Sequence, residues 1–200
     1  MSVAFPQWPV TLQYGDVGLR PLKWSDRKAW KEVRTRNAEW LGPWEATNPD
    51  GGQFHATFHQ HRRNQLKEAR AGRCLPMAIT HRGRFVGQLT LGNIVWGSLR
   101  EGYIGYWIDG AVAGRGITPT AVAMMTDYAL GEAGLHRIEI SIRPENQASI
   151  RVVEKLGYHF EGVRPRFLHI AGDWRDHNIY VMTSEQLPRG GMLQSRPEIH

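Results

Sequence analysis

AVAGRGITPTAVAMM, residues 111–125, lies between a strand-like run, GYWID (105–109), and a helix-like run. Gly114 and Gly116 permit close backbone approach and φ values that other residues avoid. Pro119 falls in the first turn of a helix, where proline is tolerated, and Thr118 before it suits an N-cap. The helix is expected over about 119–131, with Val122, Met125 and Ala129 as its apolar stripe. A helix start presents free N–H groups and the positive end of a dipole, and both favour an anion. Arg115 and Thr118 add side-chain donors. Residues 114–118 therefore read either as a diphosphate cradle or as a plain turn before a capped helix. Two other nucleotide sites are excluded. A P-loop requires a lysine after its last glycine, and a dinucleotide fingerprint requires a third glycine where this chain has Pro119.

Upstream of the loop, from residue 76, three β-rich runs are separated by short turns and predict an antiparallel meander. Before them, VGLRPL reads as a short strand. Ser25 is placed to cap a helix running to about Ala38, with Trp24 ahead of the cap and Trp30 and Val33 within it. WLGPWEATNPDGG is a loop. A second helix is expected over about 53–70, with Phe54, Phe58 and Leu66 inward. Downstream, LHRIEISIRP is a strand, and Asn146 caps a helix over 147–156 that Gly157 ends. YHFEGVRPRFLHI, the turn AGD and WRDHNIYVMT form a hairpin. The order β-α-α-β-β-β-α-β-α-β-β predicts an α/β (α+β) fold, a mixed sheet built from a meander and βαβ units with helices packed on it. Residues 1–185 are expected to form one domain, and 186–200 a mobile Pro/Gly-rich tail.

The chain has 200 residues, 41% of them hydrophobic, enough for a proper core. No apolar run approaches the ~18 residues a membrane helix needs, and MSVAFPQWPV lacks the pattern of a signal peptide. Cys74 is the only cysteine, so neither an intrachain disulfide nor a cysteine zinc cluster is expected. These features predict a cytoplasmic protein without a membrane partner. The net charge of +6 suits anionic partners, but no basic run is long enough for a nucleic-acid arm. His55 and His59 have the i,i+4 spacing of a metal pair, yet no H-E-x-x-H pattern and no third ligand accompany them, so no metal is expected. The eight tryptophans are scattered and read as core and pocket lining rather than a base-stacking platform.

The Gly-x-Gly of residues 114–116, following GYWI and opening a helix, resembles motif A of the GCN5-related N-acetyltransferase (GNAT) family. NQASIRVVEKLGY, about 30 residues downstream, resembles that family's Asn-led segment ending E-K-L-G-F/Y. GDWRDHNIYVMT and WLGPWE are similar to the ribosomal-protein alanine N-acetyltransferase branch, the RimJ type. The resemblance covers roughly residues 15–185. It implies a sheet whose fourth and fifth strands splay apart and admit acetyl-CoA. The backbone of Trp107, Ile108 and Asp109 would pair with the pantetheine arm. Gly114, Arg115, Gly116, Ile117 and Thr118 would hold the pyrophosphate, and Asn146 would reach the pantetheine region. Ala111 departs from the family's Gln or Arg at that place.

The resemblance implies acetyl transfer from a thioester to an amine, with no covalent enzyme intermediate. The acceptor expected is the N-terminal α-amine of a protein, a ribosomal protein opening on Ala or Ser. The contact with nucleic acid would then be indirect, through the ribosome, and the enzyme a monomer or homodimer. A small amine such as a polyamine or aminoglycoside is the alternative acceptor, and a ribosome- or RNA-associated binding module the alternative class. An ammonium must lose a proton before it attacks, so a base is needed, and the departing thiolate needs an acid. Ser149 is the candidate acid, since Val153 occupies the place where some relatives carry a tyrosine. Ser141 and Leu168 stand where relatives carry a carboxylate. The base candidates are therefore Glu45, ahead of Glu101 and Glu139. Trp44 and the cluster Trp174, Arg175, Asp176 and His177 are candidates for the peptide slot.

Overall fold

The computed structural model describes residues 8–51 and 57–195. Eight strands form one mixed sheet: β1 (Leu12–Tyr14), β2 (Val17–Pro21), β3 (Leu75–His81), β4 (Arg84–Val95), β5 (Glu101–Ile108), β6 (Arg137–Ile142), β7 (His159–Ile170) and β8 (Asp173–Thr183). Their order is β1-β2-β3-β4-β5-β6-β8-β7. All neighbours are antiparallel except β5 and β6, which run parallel. The expected meander is β3-β4-β5, VGLRPL contains β2, and the closing hairpin is β7-β8. The short β1 was not foreseen. It exists because Leu12 and Tyr14 fold back onto Leu19 and Val17 across a tight turn.

Helices α1 (Arg27–Arg36), α2 (Ala38–Leu41) and α3 (Phe58–Arg70) cover one face. Val33 and Phe58 pack there with Ala78, Phe85 and the partly buried Trp30 and Trp107. The other face carries α4 (Ile117–Leu130) and α5 (Gln147–Leu156) over the larger core. That core includes Leu89, Leu91, Ile104, Ile138 and Ile140 from the strands. α4 is buried on nearly every side rather than along a stripe, as its run of Ala, Val and Met allows.

Several local expectations need correction. Ser25 does not cap α1. Asp26 holds the N-cap position instead, and its carboxylate turns back to accept the Lys23 N–H at 2.7 Å and pair with Arg20 rather than bonding an α1 N–H. Thr118 does not cap α4, whose N-cap lies two residues earlier at Gly116, in the left-handed conformation (φ +74°). α3 starts at Phe58, capped by the Thr57 hydroxyl, and its Leu66 is only half-buried. Phe54 and His55 lie outside the described residues. Asn146 and Gly157 delimit α5 as expected.

The described part of the tail, 186–195, departs from its expected mobility. A short helix, α6 (Met192–Ser195), docks on α4. Met192 is fully buried, and its N–H donates to the Asp127 carboxylate at 2.8 Å. Proline and glycine near 188–191 therefore shape a turn that returns an apolar side chain to the core. Met192→Ala should lower stability by about 2–4 kcal/mol through the cavity it leaves. A thermal unfolding scan measures this, and an unchanged midpoint would restore the picture of a free tail.

Candidate active site

The two central strands pair over three positions only, Glu101↔Arg137, Gly102↔Ile138 and Tyr103↔Glu139. Beyond them β5 stays bonded to β4 through Ile108, and β6 stays bonded to β8 through Ile142. Each strand follows its outer neighbour, and sheet twist drives the pair apart. A cleft of about 1120 Å³ runs through this parting. Tyr106, Ile108, Gly114, Gly116, Thr118, Asn146 and Ser149 line it from the α4–α5 side. Trp30, Arg34, Trp44, Glu45, His61 and Gln88 line it from the α1–α3 side.

In an antiparallel ladder, the N–H and C=O of one residue point to the same side, and successive residues alternate. The Asp109 N–H donates to the Val86 carbonyl at 2.8 Å, so Asp109 and Trp107 turn their backbone toward β4. Of the three residues expected to face the pantetheine arm, only Ile108 turns its polar groups into the parting, and Tyr106 joins it. The Asp109 side chain is committed as well. It is buried and receives hydrogen bonds from Arg36, from Asn37 Nδ2 at 2.8 Å and from the Ala111 N–H at 3.2 Å. Asn37 also accepts from the Gly110 N–H at 2.9 Å. These bonds fix the end of β5 to the end of α1 and aim the chain into the glycine loop.

Gly114 has φ +77°, and a Cβ added there would meet open space within 4 Å. The cradle is therefore open on that side, and the free N–H groups of the first α4 turn face it, Pro119 contributing none. Arg115 lies outside the cleft wall. Its side chain is exposed and donates back to the Ala111 carbonyl at 3.3 Å. Opposite, Asn146 spends its carbonyl oxygen on the Ser149 N–H at 3.1 Å, which keeps α5 capped and leaves the Asn146 amide nitrogen toward the cleft.

Ser149 lines the cleft. Tyr106, absent from the expectations, brings its hydroxyl within 3.5 Å of the Ser149 carbonyl. Burial pushes that phenol up to about 12, against the hydrogen bond to Ser149, so it keeps its proton. The strand alternation Ile104-Tyr106-Ile108 was the signal that could have placed Tyr106 on the α4–α5 face. Val153 is fully buried behind it.

The candidate bases fare differently. Glu139 is buried under Arg164 at 2.6 and 2.7 Å, and Arg137 and the Ser141 hydroxyl also bond it. Glu101 pairs with Arg137 at the closed end of the parting. Glu45 lines the cleft, but its carboxylate lies 2.5 Å from Arg34, whose guanidinium covers the Trp30 and Trp107 rings. His61 was not anticipated and stands in the cleft wall. Its spacing of three from the inward Phe58 was the available signal.

Trp44 lines the cleft, with the Arg143 guanidinium 5.4 Å from its ring centroid. Arg143 also donates to the Pro43 carbonyl at 2.8 Å, tying the 42–45 segment to the β6–α5 connection. Trp174, Arg175, Asp176 and His177, the candidates for the peptide slot, are not among the residues that line this cleft. Trp174 is exposed against His169, and Asp176 accepts the Arg166 N–H at 2.8 Å across the β7 bulge. His177 is buried edge-on to Phe167, and burial lowers its pKa. Arg175 reaches Asp173 at 3.4 Å. The hairpin acts on the cleft from behind. Ala46 bridges to Ile170, and the Thr47 N–H donates to the His169 carbonyl at 2.9 Å, so the tip props the loop carrying Trp44 and Glu45.

A parted parallel pair, a glycine turn at a helix start and a cleft open to both faces of the sheet define an enzyme that transfers acyl groups. Residues 16–159 match the family described as acetyltransferase (GNAT) domain, and the chain belongs to that family of N-acetyltransferases. It is 32% identical to the "Probable N-acetyltransferase YjcK" of Bacillus subtilis over 82% of this chain and 92% of that one. It is 27% identical to the [ribosomal protein uS5]-alanine N-acetyltransferase of Escherichia coli, over 80% and 84% respectively. Among solved structures, Mycobacterium smegmatis RimJ in complex with CoA-disulfide superposes with a TM-score of 0.87 at 40% identity, covering 92% of each chain.

The Asp109 cluster predicts an acid-sensitive fold. Burial alone would raise this carboxyl, but the bonds from Arg36, Asn37 and the Ala111 N–H outweigh it and hold the pKa below the ordinary value. The stabilisation is therefore fully present above about pH 3.9 and is lost as pH falls through the depressed pKa. Asp109→Asn should cost about 2 kcal/mol at neutral pH and flatten that acid limb in a plot of melting temperature against pH.

Proposed function

We propose that this acetyltransferase takes its acetyl group from acetyl-CoA and delivers it to the N-terminal α-amine of a protein, a ribosomal protein opening on Ala or Ser. The observation that carries the reading is the cleft itself. It joins the glycine cradle on the α4–α5 side to the aromatic segment 40–46 on the α1–α3 side. At about 1120 Å³ it exceeds the ~300–1,000 Å³ usual for small-ligand sites, as a coenzyme plus a chain end requires. The names of the relatives support the same acceptor class, and the RimJ structure with bound CoA-disulfide supports the coenzyme.

Residues 114–118 fit a diphosphate: the loop is open, the helix start offers N–H donors, and its dipole favours the charge. The Asn146 amide and the parting-facing backbone of Tyr106 and Ile108 hold the pantetheine arm. Those backbone N–H groups also donate to negative charge developing on the acetyl carbonyl oxygen. The Tyr106 phenol, with Ser149 beside it, is the hydrogen-bond donor for the departing sulfur. Trp44 and the Arg34–Glu45 pair wall the entry of the acceptor.

Gly114→Glu should abolish CoA binding in calorimetry, because it strains a left-handed position and sets a carboxylate against the diphosphate. Unchanged affinity would relocate the cradle. A panel of peptides differing in the first residue, with free thiol followed, should give turnover on Ala- and Ser-starting members. Turnover on polyamines alone would replace the acceptor. In the same assay Tyr106→Phe should lower kcat about 10–100-fold with little change in the KM for acetyl-CoA, and the loss should exceed that of Ser149→Ala.

A further inference from the structure

His61 belongs to a buried polar relay that the acceptor side of the cleft shares. Its imidazole Nε2 lies 3.3 Å from Gln88 Oε1. The same oxygen accepts the Trp30 indole N–H at 2.9 Å. An indole nitrogen only donates, so Gln88 must present its oxygen to it, and its amide nitrogen faces Gln65 Oε1 at 3.4 Å. With an acceptor opposite Nε2, His61 carries its proton there, and Nδ1 holds the lone pair. Among the described residues Nδ1 has no hydrogen-bond partner. Among the described residues Arg175 Nε is the one buried side-chain nitrogen or oxygen without a partner, so Nδ1 retains some solvent access. His61 itself is part of the cleft wall.

The surroundings keep this ring neutral. Burial drives its pKa below the ordinary histidine value, the Gln88 bond opposes this, and the Arg34 charge adds to the lowering. Arg34 on α1 is the charged group facing the ring, and it is itself bonded to Glu45. Trp30 stacks against the imidazole with ring centroids 5.5 Å apart. Of the carboxylates in the cleft wall, Glu45 is held by Arg34 and Glu145 by Arg143, while Glu39 is exposed to solvent; the imidazole adds an uncharged basic nitrogen to that wall.

We propose that His61 takes the proton from the acceptor amine, held in its Nε2–H form by Gln88 and, through it, by Trp30. This rests on the amine-acylation reading above. One N–H bond of the ammonium breaks and Nδ1–H forms. The freed nitrogen lone pair bonds the acetyl carbon as the C–S bond breaks. The imidazolium returns its proton to solvent, and the second amine proton leaves with the sulfur as free thiol. Gln88 and Trp30 are positioning residues, because they act only through the ring.

The test combines kinetics and ring spectroscopy. His61→Gln should lower kcat/KM for an accepted peptide about 100-fold at pH 7, with CoA affinity unchanged. The deficit should shrink at pH 9, where an α-amine of pKa near 8 is neutral without help. In the wild type the acidic limb of the rate should titrate below the ordinary histidine value of about 6.5, and His61→Gln should lack it. Gln88→Leu should cause a smaller fall, and His59→Gln, an exposed neighbour on α3, none. Histidine ring 15N spectra should show His61 neutral and protonated on Nε2 at pH 7, and Gln88→Leu should mix the tautomers. Full activity of His61→Gln at pH 7, or an Nδ1–H or charged ring in the wild type, overturns the proposal. A wild type that acylates no amine overturns the acyl-transfer reading and this proposal with it.

Discussion

The site depends on two parallel strands that stop bonding to each other after three residues. Past Tyr103 and Glu139, β5 and β6 still have partners, but each has only its outer one. The backbone of Tyr106 and Ile108 is thereby left with polar groups facing a gap, and such groups require a partner when water is excluded. A ligand with amide groups of its own can complete the ladder. The parting thus both opens the cleft and makes it adhesive to an extended, peptide-like arm.

What keeps the parting in shape is a set of buried polar contacts at its open end. Asp109 joins Arg36, Asn37 and its own loop, so the end of β5, the end of α1 and the approach to the glycine turn move as one piece. Across the gap, Arg143 ties the Trp44 segment to the β6–α5 connection. At the closed end, Glu139 and its arginines bind β6 to β7. Several charged groups near the cleft are thus occupied in holding it, and a phenol, a hydroxyl and an imidazole are among the groups that face it.

Much of this was legible in the sequence where the signal was local. The glycine turn before α4, the Asn146 cap and Gly157 stop of α5, the meander and the closing hairpin are each encoded within a few residues, because φ limits and capping act at that range. Helix starts depart from the expectation at α1 and α4. Ser25 and Thr118 are good caps in isolation, yet Asp26 and Gly116 occupy the positions that the chain geometry makes available. The tail was misread because composition describes it as Pro/Gly-rich, while one apolar residue, Met192, decides that it docks.

By itself, then, the sequence determined the order of the main elements, the glycine turn before α4 and the family pattern that joins it to Asn146 and EKLGY. Tertiary structure alone decided which groups are free to act. Asp109 is committed to Arg36 and Asn37, over 70 residues away, Glu45 to Arg34, and the hairpin cluster to propping a loop from behind. His61 acquires its tautomer from Gln88, 27 residues on, and Tyr106 its setting from α5. The physical reason is the range of the forces. Backbone preference is written residue by residue, but the protonation and availability of a side chain depend on partners that only the folded chain brings near.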